Sequence, residues 1–185
     1  MMRRRLMAAV AVLAALVITG CGGHDAPTGR EGDIVFAQNM IPHHEQALEM
    51  SALALVGQAS PEVTALAKEI QAAQDPEIVL MRKWLRDWNA EELPHSGGPG
   101  EEDEGHAHEM AGMATGEQLL ALSEATGREF DRMWLELMVA HHEGAIEMAE
   151  QVAETTDDLE VRALAAEIIA AQAAEIDRMQ ELRAG

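Results

Sequence analysis

The chain has 185 residues, and 13 lysines and arginines against 33 aspartates and glutamates give it a formal net charge of −20. Recognition of nucleic-acid phosphates requires a basic surface, so this charge argues against a nucleic acid as partner. Apolar residues make up 48% of the sequence, which is enough to bury the core of one domain. The single cysteine excludes an internal disulfide and a cluster of thiolate ligands.

The N-terminus has the order of a bacterial lipoprotein signal peptide. Three arginines at 3–5 precede an apolar run over 6–18, which is too short to span a membrane comfortably. The run leads into Ile-Thr-Gly-Cys21, which resembles a lipobox, the motif in which small residues precede the cysteine that is lipidated. We therefore expect residues 1–20 to be a signal peptide, Cys21 to carry the lipid, and residues 21–27 to form a flexible tether. A short membrane anchor or a buried helix is the alternative for this segment.

Lipidation would decide the location of the protein. The mature chain would lie outside the cytoplasmic membrane, in the bacterial cell envelope, and its contact with the membrane would be the lipid anchor. The sequence leaves open which membrane holds the lipid.

The rest of the chain contains an internal repeat. Residues 28–85 align without a gap with residues 126–183, an offset of 98, and 25 of the 58 aligned positions are identical. Both copies contain Met-x-x-His-His-Glu-x-Ala-x-Glu-Met. Both later contain Ala-Ala-Gln-x-x-Glu-Ile-x-x-Met, which ends at Met81 and at Met179. We expect the two copies to share one fold.

Each copy is predicted to form two helices. Apolar spacing and start signals place the four helices at about 29–57, 61–88, 127–155 and 158–183. A two-helix unit buries only one side of its apolar stripe, so the two copies should pack together with pseudo-twofold symmetry. The predicted fold is all-α, a four-helix bundle of two repeated hairpins over 28–185, with repeats at 28–88 and 126–183.

Start signals and prolines mark the limits of these helices. The start signals are two capping boxes, Thr28 with Glu31 and Thr126 with Glu129, and the pairs Ser60-Pro61 and Asp157-Asp158. Pro42 and Pro76 lie inside predicted helices and are expected to kink or break them, because proline removes a backbone hydrogen bond. Since Ala140 is the counterpart of Pro42, the two copies should differ at this point.

The linker over 89–115 breaks the pattern with prolines, glycines and acidic residues. We expect a mobile crossover, followed by a short helix over 116–125. The linker also carries His106, His108, Met110 and Met113. Two interpretations of these side chains stay open: a loose site that captures metal, or a solvated acidic loop.

The repeated motif places imidazoles and a thioether on one helix face. At 100° per residue, both adjacent histidines lie within 60° of the motif's first methionine, and the motif's glutamates point away. The side chains expected to face inward are Met40, His43, His44, Met138, His141 and His142. The inward stripes of the second helices carry Gln74, Glu77, Gln172 and Glu175.

Polar groups buried without partners cost about 1 to 3 kcal/mol each, and two arrangements would satisfy them. In one, the glutamines and glutamates hydrogen-bond the histidines and fix the bundle's register without any ligand. In the other, which we favour because duplication brings four histidines together, the histidines and methionines of both repeats form a composite metal site. Thioether ligands select copper, especially Cu(I), among the metals that imidazole binds.

A ferritin-type di-iron site fits the sequence poorly. Such a site uses Glu-x-x-His on paired helices, and that spacing occurs only at Glu92 and His95, in the linker.

The two His-His-Glu segments, at 36–51 and 130–149, closely resemble the domain-of-unknown-function 305 family, as does Met-Ala-Gly-Met at 110–113. The resemblance implies a ferritin-like helical bundle, often secreted or lipid-anchored, with some members linked to copper binding and copper tolerance. Most members have no established activity. The positions that match a metal role in the family are Met40, His43, His44, Met50, Met138, His141, His142 and Met148.

The sequence therefore predicts a lipid-anchored copper-binding protein of the cell envelope that buffers or passes copper. No nucleophile triad or phosphate-binding loop is present in the sequence, which favours binding over catalysis. The alternatives are a ferritin-like redox enzyme and a structural or interaction bundle without metal.

Overall fold

The computed structural model describes residues 27–93 and 110–184. These residues form α1 (Gly29–Leu53), α2 (Pro61–Asp87), α3 (Gly116–Glu124), α4 (Gly127–Thr155) and α5 (Leu159–Ala184), with a π-helical turn at Ala54–Gln58 after α1. The described part of the chain contains no strand. The predicted all-α fold is confirmed, with four long helices and one short one. The proposed signal peptide, Cys21 and most of the tether lie outside the described residues.

The four long helices form an antiparallel bundle. Helix α1 packs against α2, α4 packs against α5, and α1 also packs against α4. The indole Nε1 of Trp134 donates to the carbonyl of Met50 at 2.9 Å, which ties α4 to α1. On the opposite side, Trp84 Nε1 donates to Glu160 at 3.3 Å, which ties α2 to α5. The two hairpins therefore pack against each other mainly through α1 and α4, and side-chain contacts such as that of Trp84 link α2 to α5.

The core consists of two apolar clusters, one toward each end of the bundle. The first contains Phe36, Met40, Ile78, Met81, Val152, Leu164 and Ile168. The second contains Met50, Leu66, Ile70, Phe130, Trp134, Met138 and Met179. Along α1 and α4, both histidine pairs fall between the residues of these two clusters. The bundle therefore encloses a polar layer between two apolar layers.

The start signals of the second helices act as predicted, whereas those of the first helices do not. Ser60 accepts a hydrogen bond from the Val63 amide at 3.4 Å, and Asp158 accepts from the Glu160 amide at 2.9 Å. The predicted capping boxes at Thr28 and Thr126 are wrong, because neither side chain makes a cap hydrogen bond. The residues after these threonines, Gly29 and Gly127, have positive φ angles of 59° and 58°, whereas a capping box requires helical backbone from the first position onward.

The two internal prolines do not end their helices. Helix α1 continues past Pro42 to Leu53, and α2 continues past Pro76 to Asp87, so the break considered at Pro76 does not occur. In the described part of the chain, no helix combines the length and the apolarity needed to cross a membrane.

Replacing Phe130 with Ala should lower the free energy of unfolding by about 3–5 kcal/mol, because the ring is fully buried in the second cluster and its loss leaves a cavity. Leu120→Ala is the control, since Leu120 is 61% exposed, and should change that free energy by less than about 0.5 kcal/mol. Urea unfolding followed by circular dichroism measures both. Equal effects of the two substitutions would contradict the position of Phe130 in the core.

Candidate metal centre

Four histidines lie where α1 and α4 cross. His43 and His44 of α1 and His141 and His142 of α4 are all fully buried. The ring centroids of His43 and His141 are 3.7 Å apart, with 37° between the ring planes. The inner members of the two pairs therefore meet at the centre of the bundle, and the outer members face the second helices.

Each outer histidine is held by a glutamate of its own repeat. His44 Nε2 lies 2.7 Å from Glu77 Oε2, and His142 Nε2 lies 2.8 Å from Glu175 Oε2. A carboxylate oxygen accepts hydrogen bonds, so Nε2 of each ring donates. The two contacts are equivalent under the repeat and fix the orientation of both rings.

The inner histidines donate to backbone carbonyls. His43 Nε2 donates to the Ala111 carbonyl at 3.1 Å, and His141 Nε2 donates to the His43 carbonyl at 2.9 Å. Burial, with the charge of His44 as the next cause, lowers the pKa of His43 to about 3. Burial also lowers the pKa of His141 well below its usual value. Both rings are therefore neutral at pH 7 and carry their single proton on Nε2.

The Nδ1 atoms of all four histidines are buried and, among the described residues, have no hydrogen-bond partner. A neutral imidazole protonated at Nε2 has a lone pair at Nδ1. Metal-binding histidines have this arrangement, in which one nitrogen donates to a carboxylate or carbonyl and the other faces the metal. The unpartnered atoms therefore fit a metal that imidazole binds, such as copper.

The two glutamines of the predicted polar network make no hydrogen bond to the histidines. Gln74 and Gln172 are each 2% exposed, and within the described chain neither amide has a hydrogen-bond partner. The network without ligand, considered as an alternative, therefore exists only through Glu77 and Glu175. It satisfies Nε2 of the outer rings and leaves Nδ1 free.

The methionines form two groups, one on each side of the histidines. Met40 and Met81 are buried in the first cluster, and the partly buried Met148 packs against it. The equivalent residues Met138 and Met179 are buried in the second cluster together with Met50. Each group thus combines thioethers from both repeats. Met81 and Met179 were not among the predicted ligands, although their shared position in the repeat marked them.

The histidines alone do not form a preorganised site. Among residues 27–93 and 110–184, no three side chains of the His, Cys, Asp and Glu types are placed to hold one ion. An ion bound here therefore needs donors of another type, and the thioethers in the two clusters on either side of the imidazoles are candidates.

The end of the linker contributes a contact that the sequence analysis missed. The Ala111 carbonyl holds His43, so residues 110–115 are not part of a free crossover. Met110 and Met113 are half-buried there, whereas His106 and His108 lie outside the described residues. A backbone carbonyl has no signature in the sequence. The one available signal was Gly144, which stands where the first repeat has Gln46 and lies against the backbone of Ala111.

The sequence of the chain identifies its family. Residues 33–183 match the family described as Domain of unknown function (DUF305). The chain belongs to the DUF305 family. None of the curated protein sequences matches this one.

Solved structures, two of which are described as DUF305 proteins, have a similar fold. A DUF305 fragment from Deinococcus radiodurans is 29% identical with a TM-score of 0.70, over 84% of this chain and 97% of that chain. A DUF305 protein from Streptomyces coelicolor that is thought to be secreted is 30% identical with a TM-score of 0.72, over 82% and 91%. CopM in its Cu(II)-bound form is 34% identical with a TM-score of 0.67, over 81% and 94%. CopM has also been solved in Cu(I)-bound, Ag-bound and apo forms.

The metal-free protein should lose stability as the pH falls below about 6.5. The depressed pKa values of His43 and His141 mean that these rings take up protons on unfolding but not in the folded state. Their contribution is complete above the unfolded pKa of about 6.5 and is lost progressively toward the folded pKa, which is about 3 for His43. Within that window, each ring should lower the free energy of unfolding by on the order of 1 kcal/mol for each unit by which the pH falls.

Urea unfolding at pH 7.5, 6 and 5 measures this dependence. In the His43→Gln variant, the slope of unfolding free energy against pH should be smaller by the contribution of one ring. A slope that is unchanged in this variant would contradict the neutral state of His43.

Proposed function

We propose that this DUF305 protein binds copper outside the cytoplasm, as a lipid-anchored protein that buffers the metal or passes it on. The observation that carries the proposal is the set of four buried Nδ1 atoms, each without a hydrogen-bond partner in the described chain. Leaving such atoms unsatisfied costs about 1 to 3 kcal/mol each. Bound copper would accept these lone pairs and recover that cost, with thioethers completing the coordination because no three of the described His, Cys, Asp and Glu side chains are placed to hold one ion.

The neighbouring donors favour copper over other metals that bind imidazole. Thioether sulfur is a soft ligand that selects Cu(I), and the histidine layer lies between two methionine-containing clusters. The residues proposed to hold the metal are Met40, His43, His44, Met50, Met138, His141, His142 and Met148. Glu77 and Glu175 would act through the outer histidines by fixing their orientation and tautomer.

The relatives support the choice of metal. CopM shares 34% identity with this chain in its Cu(II)-bound form and 31% in its Cu(I)-bound form. The Ag-bound form has 29% identity, and silver shares with Cu(I) a preference for soft ligands.

The location rests on the N-terminal sequence. The arginines, the apolar run and the lipobox ending at Cys21 have the order of a lipoprotein signal. The relative from Streptomyces coelicolor that is thought to be secreted is consistent with a site of action outside the cytoplasm. The net charge of −20 would attract cations weakly to the surface, and the buried donors would supply selectivity.

A structural role without metal is the second candidate, and the histidine–glutamate contacts favour it. His44 with Glu77 and His142 with Glu175 would fix the register of both hairpins whether or not a metal binds. This role gives no purpose to the free Nδ1 atoms. It predicts that changing the histidines alters stability and leaves copper affinity as weak as that of the acidic surface.

The test is competition for Cu(I) with a chromophoric chelator, using soluble protein that begins at Asp25. Changing His43, His44, His141 and His142 together to Ala should abolish tight Cu(I) binding. The affinity should fall by more than the roughly 10–100-fold that is typical when a residue that hydrogen-bonds a metal ligand is removed. Circular dichroism establishes that the variant is folded. A folded variant with unchanged affinity would contradict a site at these histidines.

A matched pair of substitutions tests the thioethers. Met138→Leu conserves volume in the core but removes a buried sulfur beside the histidines, so it should weaken Cu(I) binding. Met133→Leu, on the same helix and only partly buried, is the control and should leave affinity unchanged. Equal affinities in the two variants would assign Met138 to packing alone.

A further inference from the structure

Residues 110–114, called the strap below, lie across α1 and α4 above His43. The Met113 amide donates to the Met110 carbonyl at 3.2 Å, so the strap turns tightly. At this turn the Ala111 carbonyl accepts from His43 Nε2 at 3.1 Å. The strap is thus the hydrogen-bond partner of one of the two inner histidines.

Gln46 holds one end of the strap by two hydrogen bonds. Its Nε2 donates to the Ala114 carbonyl at 2.9 Å, and its Oε1 accepts from the Ala114 amide at 2.7 Å. Gln46 lies on α1 almost one turn after His43, so the side chain that holds the strap and the ring that the strap contacts belong to one rigid helix.

Gly144 gives the strap room to approach α4. A Cβ atom at Gly144 would lie 1.9 Å from the Ala111 carbonyl oxygen, and one at Gly112 would lie 2.2 Å from the Ala140 carbonyl oxygen. Both contacts are with backbone atoms, so a side chain at either position would displace the strap. Because Gly144 is inside a helix, where glycine costs about 0.5–1 kcal/mol relative to alanine, the close approach gives it a structural purpose.

The strap breaks the twofold symmetry of the histidine layer. Gln46 and Gly144 occupy equivalent positions in the two repeats, yet one binds the strap and the other makes space for it. His141, the equivalent of His43, donates instead to the His43 carbonyl. The two inner rings are therefore fixed by different acceptors.

We infer that Gln46 and Gly144 are positioning residues, which hold the strap so that the Ala111 carbonyl keeps the His43 proton on Nε2 and its lone pair on Nδ1. A carbonyl oxygen only accepts hydrogen bonds, so its contact with Nε2 selects this tautomer. The purpose of the selection rests on the proposed function, since a metal would bind the Nδ1 lone pair. Without the strap, the ring would lose its acceptor, and the proton would distribute over both nitrogens.

Two strap variants and two matched controls test this inference in the purified protein. Gln46→Leu removes both hydrogen bonds to Ala114, and Gly144→Ala inserts a methyl group against Ala111. Gln38→Leu is the control for the first, because Gln38 also lies on α1 and binds a backbone carbonyl, that of Glu91. Gly116→Ala is the control for the second, because a Cβ there meets no atom within 4 Å.

The measurements are hydrogen exchange of the Met113 and Ala114 amides, long-range ¹⁵N–¹H correlation of the histidine rings without metal, and Cu(I) affinity. In the wild type and both controls, His43 should carry its proton on Nε2. In both strap variants, the amides should exchange at least about tenfold faster, His43 should show a mixture of tautomers, and Cu(I) affinity should fall about 10–100-fold, as for loss of an outer partner.

Two results would overturn the inference. One is a His43 ring that keeps its proton on Nε2 although the amides exchange faster. The other is unchanged exchange in both strap variants, which would show that these residues do not hold the strap. If the wild-type protein bound no copper, the proposed function would fail, and the tautomer measured without metal would still decide whether the strap positions the ring.

Discussion

The structure depends on one constraint, which is the burial of four imidazole rings in the middle of a helical bundle. A neutral imidazole has one N–H group and one lone pair, so a partner for one nitrogen determines the state of the other. Here every ring donates from Nε2, to Glu77, to Glu175, or to the carbonyl of Ala111 or His43. The four Nδ1 atoms are buried and, within the described chain, have no hydrogen-bond partner, and the methionine-containing clusters on either side offer soft donors.

The internal repeat produces the layer of four histidines, and differences between the two copies make this layer asymmetric. The outer histidines and their glutamates are matched between the repeats within 0.1 Å, at 2.7 and 2.8 Å. The hydrogen bonds of the inner histidines are not matched. His43 donates to the strap, whereas His141, the equivalent residue of the second repeat, donates to a carbonyl of helix α1. The exchange of Gln46 for Gly144 between the copies accounts for this difference, since one residue binds the strap and the other leaves space for it.

Much of the fold and part of the site could be predicted from the sequence. The repeat, together with the helical spacing of its apolar residues, was sufficient for the bundle, because burying two equivalent apolar stripes leaves few other arrangements. The inward positions of Glu77 and Glu175 followed from the same spacing. The failure of the predicted capping boxes at Thr28 and Thr126 could not be foreseen, because the positive φ of the glycine after each threonine depends on how the chain enters the bundle. The contact from Ala111 could not be predicted either, since it uses a backbone oxygen that any residue carries.

The central claim is that metal binds at the Nδ1 atoms of buried, Nε2-anchored histidines. The most direct measurement is titration of the ¹⁵N-histidine-labelled protein with Cu(I), with the two ring nitrogens of each histidine followed separately by long-range ¹⁵N–¹H correlation. The account predicts that Nδ1 resonances of the four buried rings shift while their Nε2 nitrogens keep their protons. Loss of the Nε2 protons with unchanged Nδ1 resonances, or no response from any buried ring at saturating Cu(I), would contradict it.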